Sequence, residues 1–502
     1  MIKVIILAAG IGSRLSSLTI TQPKPLIRIY GIPIIEYQIK SYLDAGIDEK
    51  SIYIIAGYKY DIIYNYVKKN HPDINIINNS KYETTNNMYS LYLALSYILT
   101  HSSNNILISN GDCIYDPSII CELVNHKESL LVACDMSCYD RESMKITVDD
   151  CHISGISKLI PPEKAYAVSI DIYKLDSNSV KELKDIIESY MYVKKKLDLW
   201  TEVALNDLFK TSKFKPMDIS GRKWVEIDTL SDLADADLML SKLKLETKKC
   251  YILDLDGTTY LDGKPIDGTI KFIREAMRSG IDLYFFTNNT SKLPIDYVSI
   301  LSRFKIDIKE DKIITPLSSL VKYIKLNKIN SAYILANERV LNYLVKTTNI
   351  ELCNQIESCQ ALILTYDTEI NYNKLCKACI LLQNKKILYL ATHNDLVCPT
   401  PSGNIPDIGC IVIIIGKTTG KYPDVFFGKP NGSLLKDIIK YNNNDIVIVG
   451  DRLYTDKKLA DNLGYDFICV LSGETKRESI DDLPADEYPD LIVNDLEVLL
   501  NV

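Results

Sequence analysis

Lys249-Cys250-Tyr251-Ile252-Leu253-Asp254-Leu255-Asp256-Gly257-Thr258 decides the architecture of the second half of the chain. A short apolar run gives way at once to two carboxylates and a glycine, the pattern of a strand buried on both faces that ends in polar residues. Asp282-Leu283-Tyr284-Phe285-Phe286-Thr287-Asn288-Asn289 and Asp445-Ile446-Val447-Ile448-Val449-Gly450-Asp451 repeat the design. Ligand sites in parallel sheets lie beyond the carboxyl ends of the strands, so the three polar clusters are expected to converge. Alternation along the extended chain puts the Asp254 and Asp256 carboxyls on one side. One aspartate there can attack phosphorus, while the other protonates the leaving oxygen and later activates water. About 140 residues separate the second cluster from the third. That is more than one crossover needs, so a domain is expected to be inserted there.

Thr287, Lys429 within Gly428-Lys429-Pro430, and Gly450-Asp451-Arg452-Leu453-Tyr454-Thr455-Asp456 extend the Asp254 element into an ordered set. The set resembles the haloacid dehalogenase superfamily. GDRLYTD, together with THNDLVCPTPSG at 392–403, is similar to its nitrophenylphosphatase-like branch, which carries an α/β cap between the second and third motifs. The resemblance implies a phosphatase domain over 248–502, with its core at 248–330 and 419–502 and its cap at 331–418. It also implies Asp254 as nucleophile, Asp256 as acid and base, and Thr287 and Lys429 as the groups holding the transferring phosphoryl. Mg2+ would be held by Asp254, Asp451, Asp456 and the Asp256 carbonyl, with a place one step behind the ligands equally open to Asp456. His393-Asn394-Asp395 stands where relatives usually have Asn-Pro-Asp, which leaves Asp395 to meet the leaving group. His393 itself is read as a packing or solvent-facing residue. Members of this branch are often dimers, so a homodimer is the expected assembly.

In the first half, Leu7-Ala8-Ala9-Gly10-Ile11-Gly12-Ser13-Arg14-Leu15 follows a buried strand, and its glycines let backbone N–H groups approach a phosphate. A dinucleotide fold wants a third glycine where Leu15 stands and an acid closing the second strand. Neither is present, which argues against a dinucleotide-dependent oxidoreductase. The loop carries Arg14 instead, and Gln22-Pro23-Lys24-Pro25-Leu26 follows with a lysine between stiffening prolines. A guanidinium and an ammonium over one glycine loop suit a triphosphate. Asp112, in Asn110-Gly111-Asp112, and Asp228 each close an expected strand. Mg2+ takes few carboxylates and fills its octahedron with phosphates and water, so these two suffice, with Glu226 as the alternative ligand. The other reading of Asp228-Thr229 is a helix cap.

The loop and the PKPL element resemble the nucleoside-triphosphate transferase family that activates phosphorylated sugars and alcohols, over residues 1–243. Gly12-Ser13-Arg14, Thr85-Asn86-Asn87-Met88-Tyr89-Ser90-Leu91 and Trp224-Val225-Glu226-Ile227-Asp228 are similar to the choline-phosphate and aminoethylphosphonate cytidylyltransferase branch. Sugar nucleotidyltransferases more often have Thr at the position of Ser13, so CTP is favoured. The resemblance implies in-line attack by an acceptor oxygen on the nucleotide α-phosphorus, releasing pyrophosphate. Arg14 and Lys24 would neutralise the phosphates, and Asp112 and Asp228 would hold Mg2+. Ala9, Gly10, Gly12, Ser13, Gln22, Asn87, Ser90 and Gly111 are the expected nucleotide contacts. Tyr89, Tyr166, Trp200 and Glu202 are the candidates for a cage around a small cationic head group. The alternatives are UTP or dTTP with a sugar 1-phosphate, or one half retained as a vestigial regulatory module.

With 502 residues, 47% of them hydrophobic and 25% charged, the chain has the composition of an ordinary folded protein of several domains. Its net charge of -7 argues against nucleic acid as a partner and leaves small phosphorylated metabolites. Strand-like runs alternate with helical spacing, which predicts two Rossmann-like three-layer α/β/α domains in tandem, the second with an inserted α/β cap. The boundary is expected near residue 245, after LSDLADADLMLSKLKLETKK. MIKVIILAAG lacks the features of a signal peptide, and no apolar run nears the roughly 20 residues of a bilayer span. The run Ile411-Val412-Ile413-Ile414-Ile415 is read as a buried strand. Thirteen scattered cysteines imply a reducing compartment, the cytoplasm, and no disulfide framework. Cys376 and Cys379, in the helical KLCKACILLQ, are read as core-facing thiols.

Overall fold

The computed structural model describes residues 2–100, 105–139, 142–353, 358–400, 403–481, 483–484 and 487–501. Two compact units emerge, built on residues 1–240 and on 241–480 with 487–502. Both are α/β. Among the described residues no helix is long and apolar enough to cross a membrane.

The first unit is organised by a nine-stranded mixed sheet. Its central strand, Ile2–Ala8, is flanked in parallel by Ile52–Ala56 on one side and Asn105–Asn110 on the other. The chain fills the Ile52–Ala56 side first, adds Asn75–Asn78, and then crosses back to Asn105–Asn110. The order therefore reverses between Ile2–Ala8 and Asn105–Asn110, and a crevice opens beyond their carboxyl ends. Ala9-Gly10 leaves one of these strands there and Gly111-Asp112 leaves the other. The sheet continues with Ala167–Leu175, antiparallel to Asn105–Asn110. The ribbon Trp224–Glu226, antiparallel to Cys113–Tyr115, brings Asp228 to the same end.

The second unit holds a six-stranded, wholly parallel sheet in the order Ile313–Ile314, Asp282–Phe286, Cys250–Leu253, Ile446–Gly450, Asp466–Val470, Leu491–Val493. The three polar clusters leave adjacent strands of it. A second parallel sheet of five strands runs from Ser331–Leu335 to Val425–Phe426. Leu317, Leu320 and Ile324 of the helix Pro316–Leu326 pack in its core with Ile334, Ile363 and Leu390. Sheet and core thus take in residues on both sides of the 331–418 span expected for the cap.

The run at 411–415 is helical, not a strand. It lies inside the helix Ile408–Thr419, which Asp407 caps at its start and Gly420, at φ 69°, ends. Val412 and Ile415 face the core while Ile413 and Ile414 remain exposed. A run of β-branched residues carries no period of its own, and the caps decide its fate. Cys376 and Cys379 lie on the helix Tyr372–Leu381 but are half-buried, whereas Ala378 and Leu381 fill the core. Cys353 and Cys359 are bonded to one another, the exception to reading every cysteine as a thiol, and eleven others are free.

Candidate active sites

In the first unit the Lys24 ammonium is buried between two carboxylates, 2.7 Å from Asp112 Oδ2 and 2.9 Å from Asp228 Oδ1. Arg14 reaches the other side of Asp228 at 2.7 Å from a half-exposed position. Burial alone would lower the Lys24 pKa, but Asp112 and Asp228 hold it well above the usual lysine value. Burial works against the Asp228 carboxylate too, yet Lys24 and Arg14 keep its pKa below the usual range. Gly12, at φ 68°, turns the loop so closely over Lys24 that a Cβ there would lie 3.0 Å from the lysine Cβ. Asp112, Glu226 and Asp228 bring carboxylate oxygens within 4.8 Å of one another, an all-oxygen set that fits a hard divalent cation.

Gly10, Gly12, Ser13, Arg14, Lys24 and Gly111 line one cavity of about 210 Å³ here. Ala9, Gly10, Arg14, Asn87 and Ser90 share a neighbouring one of about 290 Å³. Gln22 lines neither. Asn87 Oδ1 also accepts the Thr201 N–H at 2.8 Å, tying the helix Asn87–Leu99 to the helix Thr201–Leu208.

The far wall of the larger cavity is acidic, and the sequence pattern foretold only part of it. Asp171, Glu202 and Glu226 all line it, beside Trp200. The Tyr173 hydroxyl lies 2.9 Å from Glu202 Oε1 and 3.2 Å from Asp171 Oδ1, and Asn110 donates to Asp171 Oδ2 at 2.9 Å. Glu202 Oε2 is buried with no hydrogen-bond partner. Burial and the neighbouring Glu202 push Asp171 up to about 7, and burial with Asp171 and Asp112 pushes Glu226 up to about 8. Asp171 has φ 58° inside an irregular stretch of the strand Ala167–Leu175, a conformation L-residues rarely adopt. Trp200 and Glu202 face the cavity as expected, but Tyr89 and Tyr166 do not line it. Tyr89 packs on the apolar core and Tyr166 is exposed. Lys158 sits 5.5 Å over the Trp200 ring.

In the second unit Lys429 repeats the arrangement of Lys24. Its Nζ lies 2.5 Å from Asp254 Oδ1 and 2.7 Å from Asp456 Oδ1, with all three groups buried. Burial opposes the charge, but Asp254 and Asp456 keep the Lys429 pKa well above the usual value. Asp254, Asp451 and Asp456 place oxygens within 4.8 Å of one another, and Asp451 Oδ1 is buried without a partner. Burial and the flanking Asp254 and Asp456 carboxylates raise Asp451 to about 8. An orphaned oxygen in a carboxylate trio fits a bound divalent cation. Burial and Asp254 push Asp256 up to about 6, so it can carry a proton near neutral pH.

Asp254, Asp256, Thr287, Lys429, Asp451 and Asp395 line one cavity of about 280 Å³, whereas Asp456 lies behind it. Arg452 lines this cavity as well; it stood in the quoted motif without a role. Its guanidinium reaches Glu474 at 2.9 Å and Asp395 at 3.4 Å.

Two open α/β sheets, each ending in a buried lysine clasped by carboxylates able to hold a divalent cation, define a phosphate-handling enzyme with two reaction centres. Residues 3–143 match the family model described as nucleotidyl transferase. Residues 251–348 match that of the haloacid dehalogenase-like hydrolases, and 426–499 a second described as HAD-hydrolase-like. The chain therefore carries a nucleotidyl transferase domain and, in its C-terminal half, belongs to the haloacid dehalogenase-like hydrolases. Similar proteins include the 5'-nucleotidase YutF of Bacillus subtilis, 27% identical over 47% of this chain and 93% of that one. The acid sugar phosphatase of Staphylococcus haemolyticus is 28% identical over 51% and 97% of the two chains. A solved 4-nitrophenylphosphatase from Thermotoga maritima is 32% identical over 51% of this chain and 98% of its own, with a TM-score of 0.48.

Proposed function

We propose that the first unit transfers a cytidylyl group from CTP to a small phosphorylated alcohol or phosphonate with a cationic head group, releasing pyrophosphate. The observation that carries this reading is the acidic wall of Asp171, Glu202 and Glu226 beside Trp200, facing the same cavity as Arg14 and Asp112. The clustered carboxylates favour a cationic head group, whose charge offsets theirs as a neutral sugar hydroxyl cannot. Lys24 and Arg14 take the phosphates as charge develops during transfer, and Asp112 and Asp228, with Glu226 within reach, would hold Mg2+. The glycine loop from Ala9 to Ser13, with Gly111, cradles the nucleotide. Asn87 and Ser90 border it.

The second unit acts as a phosphatase on a small phosphate ester. Asp254 attacks phosphorus to form an aspartyl-phosphate, Asp256 protonates the leaving oxygen, and Thr287 and Lys429 hold the phosphoryl group. Asp254 and Asp451 hold Mg2+, and Asp456 orients Lys429 from behind. The cap comprises about residues 316–427, wider than the motif spacing suggests. We place the enzyme in the cytoplasm.

The test is pyrophosphate release by the full chain carrying Asp254→Asn, so that the phosphatase cannot consume acceptors. CTP, UTP and dTTP are each offered with phosphocholine, aminoethylphosphonate, phosphoethanolamine, glycerol phosphates and sugar 1-phosphates. Release with CTP and a cationic acceptor is expected. Release confined to UTP or dTTP with a sugar 1-phosphate would overturn the reading.

A further inference from the structure

His393, the one histidine of the second unit, is buried in a loop that also carries Asp395. Its Nε2 lies 3.0 Å from Asp407 Oδ1, and its Nδ1 faces the Thr392 hydroxyl at 3.4 Å. Asp407 is itself committed. The same Oδ1 accepts the Ile408 N–H at 2.6 Å and so caps the helix Ile408–Thr419. The loop is sewn to that helix start by two backbone bonds, Asp407 N–H to Leu396 O at 3.0 Å and Gly409 N–H to Asp395 O at 2.8 Å. The imidazole thus closes a short ring of contacts from which the Asp395 carboxylate, with Asp407 beside it, faces the cavity.

That carboxylate crosses to the residues that hold the phosphoryl group. Asn288 Nδ2 lies 3.3 and 3.2 Å from its two oxygens, and Asn288 Oδ1 accepts the Lys429 N–H at 2.7 Å. Arg452 approaches the carboxylate at 3.4 Å. These contacts are long for bonds to a charged acceptor, so Asp395 has acceptor capacity left to offer a substrate in the cavity it shares with Asp254 and Asp256.

We propose that His393 and Asp407 form a positioning pair that fixes the Asp395 carboxylate over the phosphatase cleft, so that the enzyme selects phosphate esters whose leaving group donates a hydroxyl hydrogen bond there. The inference rests on the phosphatase reading and adds to it His393, which does not line the cavity. Relatives with Asn-Pro-Asp have a proline to stiffen this loop. Here Asn394 replaces the proline, and the buried hydrogen bond between His393 and Asp407 supplies the stiffness instead. A group held only by a flexible loop loses much of its discrimination, because the cost of ordering it falls on each binding event.

The experiment compares kcat/KM for glycerol 3-phosphate and glucose 6-phosphate with that for p-nitrophenyl phosphate, whose leaving group donates no hydrogen bond to a carboxylate. It uses the full chain with Mg2+. His393→Leu is expected to lower the hydroxylated-to-nitrophenyl ratio about tenfold or more, mainly through KM, as loss of one well-placed hydrogen bond to a charged group does. His393→Gln, which can still donate to Asp407, should restore most of the ratio. Asp395→Asn should reduce the ratio as far as His393→Leu, and the double variant should reduce it no further. Equal losses on both kinds of substrate, or additive effects in the double variant, would overturn the proposal. If His393→Leu fails to fold, Asp407→Ser, which can still cap the helix but is too short to reach the imidazole, takes its place with the same expected ratio. Hydrolysis of p-nitrophenyl phosphate by the parent protein separates this outcome from failure of the phosphatase reading itself.

Discussion

Gly473 shows how tightly single residues are constrained around the phosphatase centre. A Cβ at this position would stand 1.9 Å from Asp451 Oδ2. Gly473→Ala must therefore push the carboxylate out of the trio it forms with Asp254 and Asp456. We expect p-nitrophenyl phosphate hydrolysis to fall by about 10²-fold, the scale of a misplacement near 1 Å, while the melting temperature changes little. Unchanged hydrolysis would remove Asp451 from the proposed machinery. In the first unit Lys24→Met leaves Asp112 and Asp228 facing one another without their ammonium. Nucleotidyl transfer should drop by about 10²–10³-fold in a pyrophosphate assay, as loss of a preorganised charge does. The motif residues were legible because strand alternation and spacing fix where they emerge. Asp171 was not: its place depends on a φ of 58° in an irregular strand and on neighbours far away in the chain. Tyr89 and Tyr166 misled for the reverse reason, since an aromatic residue near a motif says nothing about the direction its ring takes.

Among the elements, the helices Ile34–Asp44 and Tyr60–Asn70 are joined through an imidazole. His71 Nδ1 lies 2.8 Å from Glu49 Oε1 and its Nε2 lies 2.9 Å from Glu36 Oε1. Both ring nitrogens face carboxylates, so the protonated form is the one that fits. Burial opposes the charge, but the bonds to Glu49 and Glu36 raise the pKa above its ordinary 6.5. A raised folded-state pKa contributes stability that is fully present below the unfolded value and is lost as pH climbs through the folded value. Urea unfolding should therefore show the stability of the first unit declining as pH rises from slightly acidic to alkaline, by about 1 kcal/mol or less, since the pair is only partly shielded from water. His71→Gln should flatten that decline, and a decline that persists in the variant would assign it elsewhere. The parallel strands were readable as short apolar runs bounded by polar residues. The helix Ile408–Thr419 was not, because five consecutive β-branched residues read alike in either state and the deciding signals, Asp407 and Gly420, lie outside the run.

For the whole molecule, two α/β units with separate carboxylate clusters imply two chemistries that can be switched off singly. Asp254→Asn should abolish phosphate-ester hydrolysis and leave pyrophosphate release at its parental rate. Lys24→Met should do the opposite. A loss of both activities in either variant would mean that the centres depend on one another. The division into a first and a second α/β unit was legible from the change of motif after the lysine cluster at 242–249. The extent of the core around the five-stranded sheet was not, because the helix Pro316–Leu326 joins that core by packing alone.

Lys24 and Lys429 have a consequence for the enzyme at rest. Each is a tethered counter-ion that meets two of the acids a resident cation would also face. A site furnished in this way carries part of its charge compensation in the chain itself, unlike small domains that collapse when a chelator strips them. Stripping the ion is therefore expected to silence turnover before it loosens the fold.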